Sequence, residues 1–114
     1  MKRQMSIICI YFLKKQPDLN WQNPKVRQEC IDIMNYWVDK GVDGFRLDVI
    51  NLISKDESQY YVDSTIKGHQ VCANGPHIHE YIQEMNQKVF SRKELLTVGE
   101  TPAVTIEDAK NMLL

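Results

Sequence analysis

The sequence predicts an α/β fold, and three observations support this prediction. Helix-type and strand-type hydrophobic patterns alternate along the chain in the order helix, strand, helix, strand, helix. The connections that lead from a helix into the next strand are short, which is typical of βαβ units on a parallel sheet. The composition, with 43% hydrophobic and 25% charged residues in a chain of 114, is ordinary for one globular domain.

The first predicted helix covers residues 24–40. Asn23 is a favourable N-cap, Pro24 suits the first helical position, and Gly41 suits the position after the last turn. Five residues recur between these signals at helical spacing and predict one buried face: Val26, Cys30, Ile33, Met34 and Trp37.

The first predicted strand follows one residue later, over residues 42–50. Its sequence, "VDGFRLDVI", alternates with the period of two that is typical of a strand. Arg46 and Asp48 lie two residues apart, so we expect both side chains to point to the same face. Residues 51–75 then form a long polar connection, a length that often belongs to a lid or a binding loop.

The second half of the chain repeats this order. Gly75 and Pro76 open a second helix that continues to about residue 90, and "ELLTVGE" predicts a second buried strand over residues 95–100. Thr105 is a favourable N-cap for a third helix, with acidic residues in its first turn. The apolar face of the second helix is formed by Ile78, Ile82, Met85 and Val89.

Several classes of function are disfavoured by composition. A net charge of −1 gives no reason to expect nucleic acid or an anionic membrane as a partner. Three cysteines without framework spacing favour reduced thiols and a cytoplasmic location. The apolar run at residues 7–13 is too short to span a bilayer. Cys72, His77 and His79 lack the spacing of a metal site, so we expect neither a metal nor a cofactor.

Two carboxylates are predicted to end the two strands. Ligands gather at the carboxyl ends of parallel strands, so Asp48 and Glu100 are expected to share a cleft with Arg46. Such a pair suits retaining glycoside hydrolysis, with Asp48 kept ionised by Arg46 as the nucleophile and Glu100 as the general acid and base. On spacing alone, a buried structural pair of Arg46 and Asp48 and a helix-capping Glu100 are the more frequent explanation.

Four stretches of the sequence resemble the α-amylase superfamily, in its oligo-1,6-glucosidase and trehalose-6-phosphate hydrolase group. "GVDGFRLDVIN" at 41–51 and "LLTVGET" at 95–101 resemble the signatures of the fourth and fifth barrel strands. "QPDLN" at 16–20 resembles the motif of this subgroup, and "NGPHIHEYIQEMN" at 74–86 resembles the stretch between the two strands. The resemblance extends from about Lys14 to Leu114.

The resemblance implies a fragment of a (β/α)8 TIM barrel, from roughly the third to the fifth helix. It implies that Asp48 is the nucleophile and Glu100 the acid/base. It also implies that Arg46 and Val49 lie in the substrate-binding region, and Val49 resembles the residue of members that prefer α-1,6 linkages. The implied substrate is a short α-linked oligosaccharide.

Two alternatives remain open. A trehalose-6-phosphate hydrolase needs a basic phosphate pocket, and Lys55 and Lys67 are the only lysines of the long connection. Lys55 itself is expected to lie in a solvated loop segment. The other alternative is a non-catalytic remnant or pseudogene product.

The family's "NHD" motif, which carries a third catalytic carboxylate, does not occur in the 114 residues. We therefore expect residues 14–114 to be a partial catalytic segment with little or no activity alone, which has to associate with the missing barrel pieces. Residues 1–13 are expected to be an atypical leader, read in a shifted frame.

Overall fold

A computed structural model describes residues 18–55, 73–102 and 104–113 of the chain, and the elements in them alternate as predicted. The leader at 1–13, Lys67 and Cys72 lie outside the described residues. The helices and strands are α1 (Pro24–Asp39), β1 (Gly44–Leu47), α2 (Ile78–Lys88), β2 (Leu96–Gly99) and α3 (Ile106–Asn111). Two short 3-10 helices, Ile50–Leu52 and Phe90–Arg92, follow β1 and α2.

The ends of α1 are where the local signals predict them. The Asn23 side chain accepts a hydrogen bond from the backbone N–H of Lys25 at 3.0 Å, which satisfies one of the free donors of the first turn. Pro24 is the first helical residue, and Gly41 follows the helix with a φ of 97°, a conformation that glycine adopts without a steric penalty. The predicted start of this helix is therefore confirmed, and the helix ends at Asp39, one residue before the predicted end.

The buried face of α1 differs from the prediction. Ile31 and Val38 are the buried residues of this helix, whereas Ile33 is 59% exposed and Trp37 is 51% exposed. Met34, another of the five predicted residues, does pack against the core. The helix has two apolar faces, and α2 and the sheet cover the one that contains Ile31 and Val38.

The two strands pair in parallel, which confirms the predicted βαβ order. Arg46 lies opposite Val98 in the register, and Gly44 lies opposite Leu96. A Cβ atom at Gly44 would collide with the carbonyl oxygen of Leu96, so only glycine allows the strands to approach this closely at their first pair.

Both strands are shorter than predicted. The predicted strand 42–50 is wrong at its end, because Val49 adopts a left-handed conformation with φ of 39° and the chain turns into a 3-10 helix at Ile50. The second strand is also not buried as predicted, since Leu96 is 72% exposed and Val98 is 54% exposed. Only the opposite face of the sheet packs on the helices, where the Phe45 and Phe90 rings lie 6.0 Å apart.

The core lies between α1, α2 and that covered face of the sheet. The apolar face predicted for α2 is confirmed, although the helix begins at Ile78 rather than directly at Gly75 and Pro76. The central members of the core are Ile31, Val38, Ile50, Ile78, Ile82, Met85, Val89 and Phe90.

α3 begins as predicted, with Thr105 and Asp108 forming a reciprocal capping box. Among the described residues, no helix has the length and apolar character needed to cross a membrane.

Candidate active site

Three charged side chains meet at the carboxyl ends of the two strands. The Arg46 guanidinium donates from Nη1 to Asp48 Oδ1 at 2.6 Å and from Nη2 to Glu100 Oε2 at 2.7 Å. One arginine therefore bridges the two carboxylates that the sequence predicts to share a cleft.

The register explains why these residues meet. Side chains two apart on a strand share a face, and residues opposite each other in a parallel pair point to the same side. Arg46 therefore shares a face with Val98, and Asp48 and Glu100 each follow two residues later. The pairing continues past the strand ends, because Glu100 N donates to Leu47 O at 2.9 Å and Ile50 N donates to Glu100 O at 3.0 Å.

The electrostatics of this cluster follow from the shared guanidinium. Hydrogen bonding from Arg46 holds the pKa of Asp48 below its ordinary value, and the neighbouring Glu100 carboxyl adds to the effect. The two carboxylates in turn raise the pKa of Arg46. Asp48 is thus an ionised carboxylate near neutral pH, as a nucleophile has to be.

The cluster is not a buried structural ion pair. The side chains of Arg46, Asp48 and Glu100 are 61%, 72% and 48% exposed. Ion pairs at such exposure contribute little to stability, typically about 0–1 kcal/mol. The spacing alone favoured a buried structural pair of Arg46 and Asp48. The exposed side chains in the structure do not fit that explanation.

Val49 connects this cluster to the turn that follows. It is the residue directly after Asp48, and its φ of 39° and ψ of 45° place it in the left-handed region. That region is unusual for a β-branched side chain. The carbonyl of Val49 accepts a hydrogen bond from Leu52 N at 2.9 Å, which closes the 3-10 turn.

Lys55 corrects the expectation of a solvated loop segment. Its side chain is 12% exposed, its Nζ donates to Leu52 O at 2.5 Å, and it forms an ion pair with Asp18 Oδ2 at 3.0 Å. Asp18 is the aspartate of "QPDLN", and the contact joins this residue to the segment after β1. The sequence could not show it, because the two residues are far apart along the chain.

Asn51 is a buried polar residue that sequence reasoning missed. It is 0% exposed and joins the turn after β1 to two other segments of the chain. The available signal was one polar residue between apolar neighbours in "VINLI", which is typical of a buried side chain with hydrogen-bond partners.

The histidines do not form a metal site in the part of the chain that the structure describes. His77 Nδ1 lies 3.0 Å from Glu80 Oε2 on the outer surface of α2. No group of three or more His, Cys, Asp or Glu side chains that could hold a metal occurs within residues 18–55, 73–102 and 104–113.

Comparison with known families defines the class to which this fold and site belong. The model of the α-amylase catalytic domain matches residues 5–113. The chain belongs to the α-amylase family, whose resemblance the sequence motifs indicated.

Two curated relatives show which members of the family this chain is similar to. The chain is 52% identical over 103 residues to an oligo-1,6-glucosidase of Bacillus cereus, covering 87% of this chain and 18% of that protein. It is 51% identical over 100 residues to a glucan 1,6-α-glucosidase of Streptococcus pneumoniae, covering 88% of this chain and 17% of that protein. The chain thus spans less than a fifth of the length of these two curated relatives.

A solved structure supports the fold. The crystal structure of Bacillus licheniformis trehalose-6-phosphate hydrolase superimposes with a TM-score of 0.76 at 46% identity, covering 83% of this chain and 17% of that one. The α/β fold described above is therefore a piece of the TIM-barrel architecture of α-amylase family enzymes.

Proposed function

We propose that the chain is a segment of a retaining α-glucosidase that hydrolyses α-1,6 or α-1,4 glucosidic bonds of short oligosaccharides. In this proposal β1 and β2 are the fourth and fifth strands of the barrel. The observation that carries it is the Arg46 guanidinium, which bridges Asp48 and Glu100 at the carboxyl ends of adjacent parallel strands. The 1,6-glucosidases among the relatives support this substrate class.

The proposed chemistry divides between the two carboxylates. Asp48 attacks the anomeric carbon and forms a glycosyl ester, while Glu100 donates a proton to the departing glycosidic oxygen. Glu100 then takes a proton from water, which cleaves the ester and releases the sugar with retained configuration. Arg46 keeps Asp48 ionised and oriented for the first step.

The same geometry explains why we expect no turnover from the 114 residues alone. The proposed chemistry needs a site from which water is excluded. The Glu100 side chain is 48% exposed, so other strands have to close the cleft before the reaction can occur. The missing barrel pieces are therefore the proposed partners.

The test is a chimera in which this chain replaces the matching stretch of the Bacillus cereus oligo-1,6-glucosidase, to which it is 52% identical. We expect hydrolysis of p-nitrophenyl α-glucoside and of isomaltose by the chimera, and none by the isolated chain. Asp48→Asn should lower kcat by about four orders of magnitude or more, because the nucleophile is lost.

Asp43→Asn is the matched control for that substitution. Asp43 is an exposed aspartate just before β1, and only its backbone carbonyl takes part in the sheet, by accepting from Leu96 N at 2.9 Å. A folded chimera that retains activity after Asp48→Asn would rule out the proposed nucleophile.

Trehalose-6-phosphate hydrolysis is the second candidate, favoured by the structural match to such an enzyme. One contact weighs against it, because Lys55 is occupied by Leu52 O and Asp18 and is not free to bind a phosphate. The chimera distinguishes the two activities when isomaltose and trehalose 6-phosphate are offered separately.

A further inference from the structure

Asn51 links the candidate site to two distant segments of the chain. Its Nδ2 donates to the carbonyl of Pro102 at 2.7 Å and to Asn74 Oδ1 at 3.2 Å, and its own backbone carbonyl accepts from Asn74 N at 2.8 Å. Pro102 lies two residues after Glu100, and Asn51 lies three residues after Asp48. The amide therefore ties together the backbone segments that carry the two carboxylates.

Burying the Asn51 side chain costs free energy unless its hydrogen bonds replace those it would make with water. The side chain is 0% exposed, and its Oδ1 finds no hydrogen-bond partner among the described residues. An apolar side chain of similar volume would be cheaper to bury at this place. The contacts of Nδ2 are thus the physical reason for an amide here.

Between Asp48 and Asn51 lies a backbone conformation that needs support. Val49 is left-handed, and strained conformations of this kind persist only where the surrounding structure fixes them. Ile50, the next residue, is buried, and its N–H donates to Glu100 O at 3.0 Å. The Val49 turn is therefore held between the Ile50 contact and the Asn51 contacts.

We propose that Asn51 is a positioning residue, which holds the Val49 turn and the Pro102 segment so that Asp48 and Glu100 stay on either side of the Arg46 guanidinium. This inference rests on the proposed function, because positioning matters only if the two carboxylates act together. Within the described part of the chain, the Asn51 amide bonds to Asn74 and Pro102 and to neither carboxylate, so it acts through the backbone on both sides.

The test uses this chain labelled with ¹³C and ¹⁵N, with NMR as the readout. Asn51→Leu removes the amide and keeps the branched shape and the number of heavy atoms of the side chain. We expect it to increase the exchange rate of the Ile50 amide proton by about tenfold or more, because the turn loses its support. The pH midpoint of the Asp48 carboxyl should rise towards its ordinary value of 3.8, because its contact with Arg46 loosens.

Ser54→Ala is the matched control. Ser54 is also buried, and its Oγ accepts from His77 N at 2.9 Å, so it holds the returning segment near Asn74 without reaching Pro102. It should leave the Ile50 exchange rate and the Asp48 midpoint unchanged. If it changes them as much as Asn51→Leu does, any buried polar contact suffices and the inference fails.

Val49→Gly provides a second measurement that does not depend on folding of Asn51→Leu. Glycine adopts the left-handed region freely, so this variant alone should raise the thermal midpoint of the chain. In the Asn51→Leu background it should slow the Ile50 exchange rate again. A lowered midpoint for Val49→Gly, or unchanged Ile50 exchange and Asp48 midpoint in Asn51→Leu, would overturn the inference.

These readouts are independent of sugar hydrolysis. An active chimera together with unchanged NMR parameters in Asn51→Leu would refute the positioning role and leave the proposed function intact. An inactive chimera together with the expected NMR changes would refute the proposed function and leave the positioning role intact.

Discussion

At the scale of single residues, Arg46 shows what the sequence can and cannot predict. The two-residue spacing of Arg46 and Asp48 predicts a shared face, and the structure confirms it through a 2.6 Å contact. The second contact of the guanidinium, with Glu100, depends on the register, in which Arg46 lies opposite Val98. That register places Gly44 against Leu96, where only glycine fits, and no local sequence pattern reveals this pairing.

The first prediction at this scale concerns the titration of Asp48. Arg46→Met should raise the pH midpoint of the Asp48 carboxyl, measured by ¹³C NMR, because the main cause of its lowered pKa is removed. Since the pKa in the folded chain is lower than in the unfolded chain, the contact stabilises the fold above the ordinary value of 3.8. The stabilisation is lost as the pH falls through the folded-state pKa, and Arg46→Met should weaken this acid dependence.

Arg92→Met serves as the control for that experiment. Arg92 is another exposed arginine, which donates to Asn35 and Asp39 at the other end of α1 from the N-cap. The Asp48 midpoint should not move in this variant. An equal movement in both variants would assign the shift to net charge rather than to the Arg46 contact.

At the scale of elements, the start of α1 was predictable and the buried face of this helix was not. Caps and stops are local signals, so Asn23 and Gly41 were sufficient for the ends of α1. The buried face depends on which neighbours are present, and the hydrophobic pattern contains two apolar faces. β1 ended earlier than predicted because Val49 adopts a left-handed conformation, which no local sequence signal indicated.

The prediction at this scale compares two isoleucines of one helix. Ile31→Ala should lower the free energy of unfolding by about 2–5 kcal/mol, because it leaves a cavity in the core. Ile33→Ala should change it by no more than about 0.5 kcal/mol, because the side chain is exposed. Urea denaturation followed by circular dichroism measures both, and equal losses would mean that the second face of α1 is also covered.

At the scale of the whole molecule, the sheet has one covered and one uncovered face. The uncovered face presents Leu96 and Val98 below the Arg46 cluster, and Tyr36 and Trp37 are exposed on α1. Apolar surface of this kind is typical of an interaction site or an aggregation-prone surface. The two relatives are more than five times longer than the part that this chain matches, and the proposed barrel pieces would cover this surface.

The prediction at this scale concerns self-association of the isolated chain. We expect concentration-dependent association in sedimentation velocity experiments, reduced by Leu96→Lys because a charge then lies in the apolar part of the uncovered face. Leu113→Lys is the matched control, since Leu113 is 81% exposed and lies beyond α3. An equal reduction in both variants would mean that added charge, rather than the sheet face, controls association.

The bridge from Arg46 to Glu100 spans 54 positions, and this separation has a consequence for synthesis. A polypeptide emerging from the ribosome can form the Arg46–Asp48 pair as soon as β1 is free, because the partners are two residues apart. Glu100 lies beyond α2 in the chain, so the second carboxylate can reach the guanidinium only after the intervening residues have been synthesised. A chain whose translation stalls before position 100 therefore contains Arg46 and Asp48 but lacks Glu100, the second carboxylate that the guanidinium contacts in the complete chain.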